Sequence, residues 1–184
     1  MTDLYERVAA ERTRLRQVRQ LLTAATEQGA HGAIAYVAFY VAIADYFEAA
    51  MERLHTQDIR MGNMLRDKAN MDDPQTQKAM RELDERLAGN QKYLRKMLAA
   101  REVLRSEAEL ALPEFDEAGG AYAAFIVANM GHHPGTADLA LELFSAEDWG
   151  YMADVSEEDQ QLERRLYEGV FALVPKGLEL PEEP

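Results

Sequence analysis

The chain has no cysteine in 184 residues. Disulfides, thiol nucleophiles and zinc sites built on thiolate are therefore excluded. Proline (6) and glycine (11) are sparse and fall mostly between periodic segments, a distribution that favours helix throughout. Strand-period alternation, internal repeats and low-complexity tracts are lacking. Serine occurs only at Ser106, Ser145 and Ser156, and the latter two sit in cap-like contexts, so no nucleophilic triad can be assembled. The glycine patterns that cradle phosphates after a strand are absent as well. Long hydrophobic runs are also missing. The longest uncharged stretch, residues 32–44 (GAIAYVAFYVAIA), has thirteen residues, short of the about 20 needed to cross a bilayer. It is apolar on every side, which suits the central helix of a bundle or a helix buried in an oligomer. The first residues lack the basic and apolar regions of a secretory signal, and a cytoplasmic location is expected.

Basic residues are scarce in one part of the chain only. Residues 1–113 carry 17 Lys+Arg against 17 Asp+Glu, whereas residues 114–184 carry 3 against 16, so the last 71 residues hold all of the net charge of −13. With a pI near 4.7 the chain is not expected to bind nucleic acid through its phosphates. Arg7, Arg12, Arg14, Arg16 and Arg19 form a local exception, but they alternate with Glu6 and Glu11 and read as a solvated helix surface.

The fold class that follows is all-α: a helical bundle with long antiparallel helices, forming a coiled-coil-like hairpin in one version, and shorter C-terminal helices. A first helix is expected over residues 3 to about 27, stopped by Gly29. A second is expected from about residue 30 to 68, with Gly62 as its weak point. Asp73 followed by Pro74 marks a cap and a first helical position. The third helix is then expected to run to about Leu112, ended by Pro113. Its seam is Met80, Leu83, Leu87, Asn90, Leu94, Met97, Arg101, Leu104, Ala108 and Ala111, with Asn90 and Arg101 as polar exceptions that can fix register or oligomer state. Nearly forty helical residues measure about 55–60 Å, so residues 51–111 either project as a hairpin, pair with a second copy, or lie in a long-helix bundle. Shorter helices are expected over 118–130, 136–144 and 156–174, the last with Leu162, Leu166, Val170 and Leu173 on one face. Ser145 and Ser156 each precede an Asp three residues later, as in a capping box. The organisation expected is a neutral long-helix part (1–113), an acidic short-helix part packed on it in one domain (114–177), and an acidic tail (178–184).

Two groups of side chains stand out as candidate sites. Trp149 and Tyr151, with Asp148 and Asp154 beside them, form a short acidic connector with aromatic anchors of the kind favoured at binding hot spots. Glu52 and His55 have Glu-x-x-His spacing, which puts both on one helix face as in di-iron carboxylate bundles, and Asp45 and Glu48 precede them on the same stripe. Such a site asks for a second Glu-x-x-His, and the chain has none. His31 could join His55 only across a symmetric oligomer or a sharp break in the helix, since 24 helical residues span about 36 Å. His132 and His133 suit a helix C-terminus, where donors meet unpaired carbonyls.

The reading that accounts for most of these features is a non-enzymatic helical protein that binds other proteins, as an adaptor, chaperone, secretion-associated or assembly factor. Its acidic C-terminal surface would steer a basic partner. Self-association is expected from the seams and the uncharged helix. One alternative is a metal-binding protein or oxidoreductase using Glu48, Glu52 and His55. Another is an acidic mimic of nucleic acid. No cofactor is implied.

Overall fold

The computed structural model describes residues 2–129 and 134–178. Helix α1 spans Thr2–Gln28. It stops at Gly29, where φ is +74°, a value that suits glycine because it lacks a Cβ. His31 (φ +47°) and Gly32 (φ +73°) continue the left-handed link. Helix α2, Ala35–Lys68, therefore begins five residues later than the residue pattern suggests. It passes Gly62 unbroken. A Cβ at Gly62 would lie 2.9 Å from Leu83 Cδ2, so the missing side chain lets α2 and α3 approach closely. Helix α3, Pro74–Glu107, starts as expected: Asp73 accepts a hydrogen bond from the Thr76 N–H at 2.8 Å, and Pro74 takes a first-turn position where no N–H is needed.

The long third helix is shorter than its seam implies. Ala108 has φ +52°, a conformation a right-handed helix cannot hold, and a 3-10 turn over Ala108–Ala111 replaces the last turn. Helix α4 follows at Leu112–Asn129. Pro113 thus opens a helix instead of closing one, because a proline in the first turn removes only an N–H that has no intrahelical acceptor. Gly119 and Gly120 fall in the middle of α4, where Leu22 and Thr26 of α1 press against them. Helix α5 is Pro134–Leu143, α6 is Ala146–Met152 and α7 is Glu157–Ala172. Ser145 closes a full capping box with Asp148, and Ser156 accepts from the Asp159 N–H. His132, His133 and the tail after Leu178 lie outside the described residues.

Cross-helix pairs fix the directions. Arg66 meets Asp84, His55 meets Gln91 and Asp45 meets Arg101, so α2 and α3 run antiparallel as a hairpin. Tyr122 donates to Asn90 Oδ1 at 2.9 Å, which sets α4 antiparallel to α3. The main core gathers α1, the first half of α2, the second half of α3, α4 and α7. At its centre lies the second part of the uncharged stretch, with Phe39, Tyr40, Ile43 and Ala44 fully buried and Tyr40 stacked on Phe115 at 4.5 Å. Residues 32–35 and Ala38 are exposed, Ile34 at 62%, so the stretch is not enclosed on every side. Each buried aromatic of this kind contributes about 1.5–3 kcal/mol. A second, smaller cluster covers the far end of the hairpin: Leu65, Met80 and Leu83 pack against Ala140 and Phe144 of α5 and its C-terminal end. Residues 51–111 are consequently a hairpin that packs against α5 near its far end, while the turn itself, with Asn70, Met71 and Asp72, is exposed. No strand occurs among the described residues, and the molecule is an all-α bundle.

Charge and packing divide the chain differently. The step in charge falls at Pro113, yet Phe115, Tyr122, Ala123 and Ile126 of the acidic half sit inside the main core. The polar exceptions in the α3 seam are satisfied within one chain, Asn90 by Tyr122 and Arg101 by Asp45 and Glu48. Of the two features that suggested self-association, the seam is thus occupied internally, whereas the uncharged helix is occupied only in part, with Ile34, Ala35 and Ala38 exposed. Helix α7 buries only part of the expected stripe: Leu166 and Val170 face the core as expected, but Leu162 and Leu173 do not. Glu163, Leu166, Tyr167 and Val170 turn inward, while Leu162 and Leu173 stay about two-fifths exposed.

Candidate functional site

The acidic stripe on α2 is taken apart by its neighbours. Arg101 of α3 donates to Asp45 at 2.6 Å and to Glu48 at 2.5 Å, and Arg105 adds a bond to Asp45 at 2.8 Å. The Gln91 amide and His55 Nε2 are hydrogen-bonded at 2.7 Å, and His55 Nδ1 is buried without a partner among the described residues. Glu52 turns away from this set toward α7. No three His, Asp or Glu side chains come together in a metal-holding arrangement among the described residues. His31 lies on the exposed α1–α2 link, next to Gly29.

A cleft lies along each flank of α7, and a buried carboxylate holds the helix between them. Glu163 is 1% exposed. Arg14 of α1 grips it with Nε at 2.9 Å from both oxygens and Nη2 at 2.7 Å, and the Tyr46 hydroxyl of α2 donates to it at 2.9 Å. The hydrogen bond to Glu163 raises the Arg14 pKa despite its burial. Burial, then the negative charge of Glu163, pushes the Tyr46 phenol far above its ordinary range. Tyr167 donates to Gln17 at 2.6 Å one turn further along. Helix α7 therefore runs parallel to α1 and is fixed to it by polar contacts as much as by apolar ones. Arg7 and Arg14 are not the solvated residues that their alternation with glutamate suggests. Arg7 donates to the Ala153 carbonyl at 2.5 Å, closing α1 onto the end of α6.

Between α2 and α7 lies a cleft of about 570 Å³. Its walls include Glu52, Arg53 and Arg60 from α2, and Asp154, Asp159 and Leu162 from the α6–α7 connector and α7. The arginines are engaged. Arg53 faces Glu11 at 3.4 Å. Arg60 donates to the carbonyls of Tyr151 and Asp154 at 3.3 and 3.1 Å and lies 5.3 Å over the Tyr151 ring. The Glu52 and Asp154 carboxylates have no partner among the described residues. Glu52 and Asp154 are thus brought to one cleft from positions 102 apart in the chain.

The other members of the connector group fare differently. Tyr151 is 58% exposed at the rim beside Arg60. Trp149 is half-buried against Phe144, edge to face at 5.4 Å. Asp148 is bound by Lys68 at 2.5 Å and by the N–H and hydroxyl of Ser145. Lys68 and the Ser145 contacts hold its carboxyl down to about 2. Trp149 and Asp148 therefore serve the fold, while Tyr151 and Asp154 face solvent.

Glu163 itself escapes a reading built on Leu162, Leu166, Val170 and Leu173. The signal was present in the alternative stripe Glu163, Leu166, Tyr167, Val170, whose spacing of three, four and seven is equally helical. On the far side of α7 a second cleft, of about 410 Å³, is bounded by Arg7, Ala10 and Arg14 of α1 and by Glu157, Gln160 and Arg164 of α7. Comparison with protein-family models, curated proteins and solved structures finds no match to this chain.

Proposed function

We propose that the protein is a helical interaction module that captures a basic segment of another protein in the α2–α7 cleft. The observation that carries this reading is the pair of unpartnered carboxylates, Glu52 and Asp154, in a cleft whose arginines are already engaged. An incoming Lys or Arg would find two acceptors, with Leu162 and Val155 to pack its aliphatic stem and the exposed Tyr151 ring at the rim. The acid-rich surroundings add attraction at longer range. Glu157, Glu158 and Asp159 open α7, and all three are exposed. Such a field raises the encounter rate, whereas the contacts set specificity. The chemistry is binding and not turnover. The acidic stripe that could have held a metal is neutralised by Arg101 and Arg105.

The test is capture from source-cell lysate at physiological salt. Full-length protein is compared with Glu52→Gln/Asp154→Asn, and bound proteins are identified by mass spectrometry. Both side chains are exposed, so the variant keeps the fold. A basic partner held by the parent and lost by the double variant is the expected result, with capture falling as salt rises. Equal capture by both proteins would overturn the reading.

A further inference from the structure

The cleft on the opposite side of α7 has the opposite chemistry. Two side-chain rows face each other across it, Arg7, Ala10 and Arg14 on α1 and Glu157, Gln160 and Arg164 on α7. Both rows have the spacing of three and four that places residues on one helix face. Ala10 is the small residue that opens the space between the two arginines of its row. Three guanidinium groups meet one wall carboxylate here, in a chain where acids outnumber bases 33 to 20.

The wall carboxylate does not neutralise them. Glu157 accepts from Gln161 at 3.2 Å, and no ion pair joins it to an arginine among the described residues. Arg14 uses Nε and Nη2 on Glu163, which leaves Nη1. Arg7 uses one terminal nitrogen on Ala153, and its Nε is buried with no acceptor among the described residues. A buried N–H of this kind costs free energy unless something accepts from it. Arg53 has an Nε in the same condition, but the Glu11 carboxylate stands beside that guanidinium, and no carboxylate pairs with Arg7 among the described residues. Arg164 is exposed and has no partner among the described residues.

We propose that this α1–α7 cleft binds the oxyanion end, phosphate or carboxylate, of a small molecule between Arg7, Arg14 and Arg164. Guanidinium groups suit either oxyanion because their planar forks present paired donors. The volume suits a small metabolite and not a macromolecular surface. This site is independent of the α2–α7 cleft, and the failure of either leaves the other standing.

The test is titration of full-length protein with inorganic phosphate and, separately, with citrate, at constant ionic strength so that general screening cannot imitate binding. The readout is the arginine Nε–Hε resonances by NMR. Saturable shifts at Arg7, Arg14 and Arg164 are expected from one or both probes. A response to phosphate alone assigns a phosphate ligand, and a response to citrate alone assigns a carboxylate. Two variants complete the test. Arg164→Gln removes one charged donor, and Ala10→Leu fills the cleft with every charge retained. Both positions are exposed, so an unchanged amide spectrum is expected elsewhere. Each variant should weaken binding about tenfold or more. Absence of saturable shifts, or parent-like affinity in either variant, would overturn the proposal.

Discussion

On the α2 side of α7 the arginines are engaged and two carboxylates are left over; on the α1 side the carboxylate is engaged and guanidinium donors are left over. Both flanks contain arginine and acid, so composition does not distinguish them. What differs is which sign has been satisfied inside the fold. Arg60 is bound to two carbonyls and a ring, whereas Glu163 absorbs most of Arg14 and nothing absorbs Arg164 among the described residues. Net charge therefore predicts little about either cleft. At physiological ionic strength the field of distant charges decays over about 8 Å, and the side chains in the wall decide what each cleft attracts.

The largest effect is expected where the two flanks share a wall. Glu163→Ala leaves Arg14 and the Tyr46 hydroxyl without their acceptor in a buried position. Breaking a buried pair from one side costs about 3–5 kcal/mol, and urea unfolding followed by circular dichroism measures it. Glu163→Gln keeps an acceptor and should cost less, about 1–3 kcal/mol. Binding in both clefts should weaken together in Glu163→Ala, because α7 loses its seat. Unchanged stability would show that α7 is held by its apolar contacts alone, and the contrast between its flanks would lose its structural basis.

A smaller loss, remote from both flanks, separates stability from binding. Gly89 lies on α3 where a Cβ would come within 2.6 Å of the Phe125 ring. Gly89→Ala gains helix propensity of about 1 kcal/mol but overpacks the α3–α4 contact, a change that costs about 1–3 kcal/mol and occasionally more. A lower melting temperature with both clefts binding normally is the expected pair of results. Altered binding would mean that the clefts respond to general loosening and not to their own walls.

Helix content, both serine caps and the Asp73–Pro74 start were legible because each depends on a few adjacent residues. Residue pattern placed only the second part of the uncharged stretch in the core; its first part, with Ile34 at 62% exposure, lies at the surface. Errors arose where a local signal has two uses. Pro113 both ends and begins helices, and only the positive φ at Ala108 decides which. Gly62 and Gly89 look like weak points until the side chains facing them, Leu83 and Phe125, are known. In α7 two stripes compete, and the winner carries a buried glutamate because Arg14, 149 residues away in sequence, is there to meet it. The candidate sites were half legible. Glu52 and Asp154 stand out in the sequence for separate reasons, metal ligation and partner contact, and their meeting in one cleft is a consequence of antiparallel packing between α2 and α7.

The smallest effect lies at the hairpin tip, outside both flanks, and it bounds the comparison. Asp148 has its carboxyl held from an ordinary 3.8 down to about 2 by Lys68 and by Ser145. A carboxyl depressed in the folded state stabilises fully above its unfolded value, and the contribution disappears as pH falls from about 4 to about 2. The only tryptophan, Trp149, is adjacent to it and packs on Phe144, so its fluorescence reports this end of the molecule. Acidification from pH 4 to 2 should shift Trp149 emission toward that of a solvated indole. Many other carboxyls titrate over the same interval, so the informative quantity is the difference between parent and Asp148→Asn. The variant should begin loosened at pH 4 and show a shallower change below it. Identical curves would mean that the Lys68–Asp148 contact contributes nothing to the tip, and that α5 and α6 are held there by the Leu65–Met80–Phe144 cluster alone.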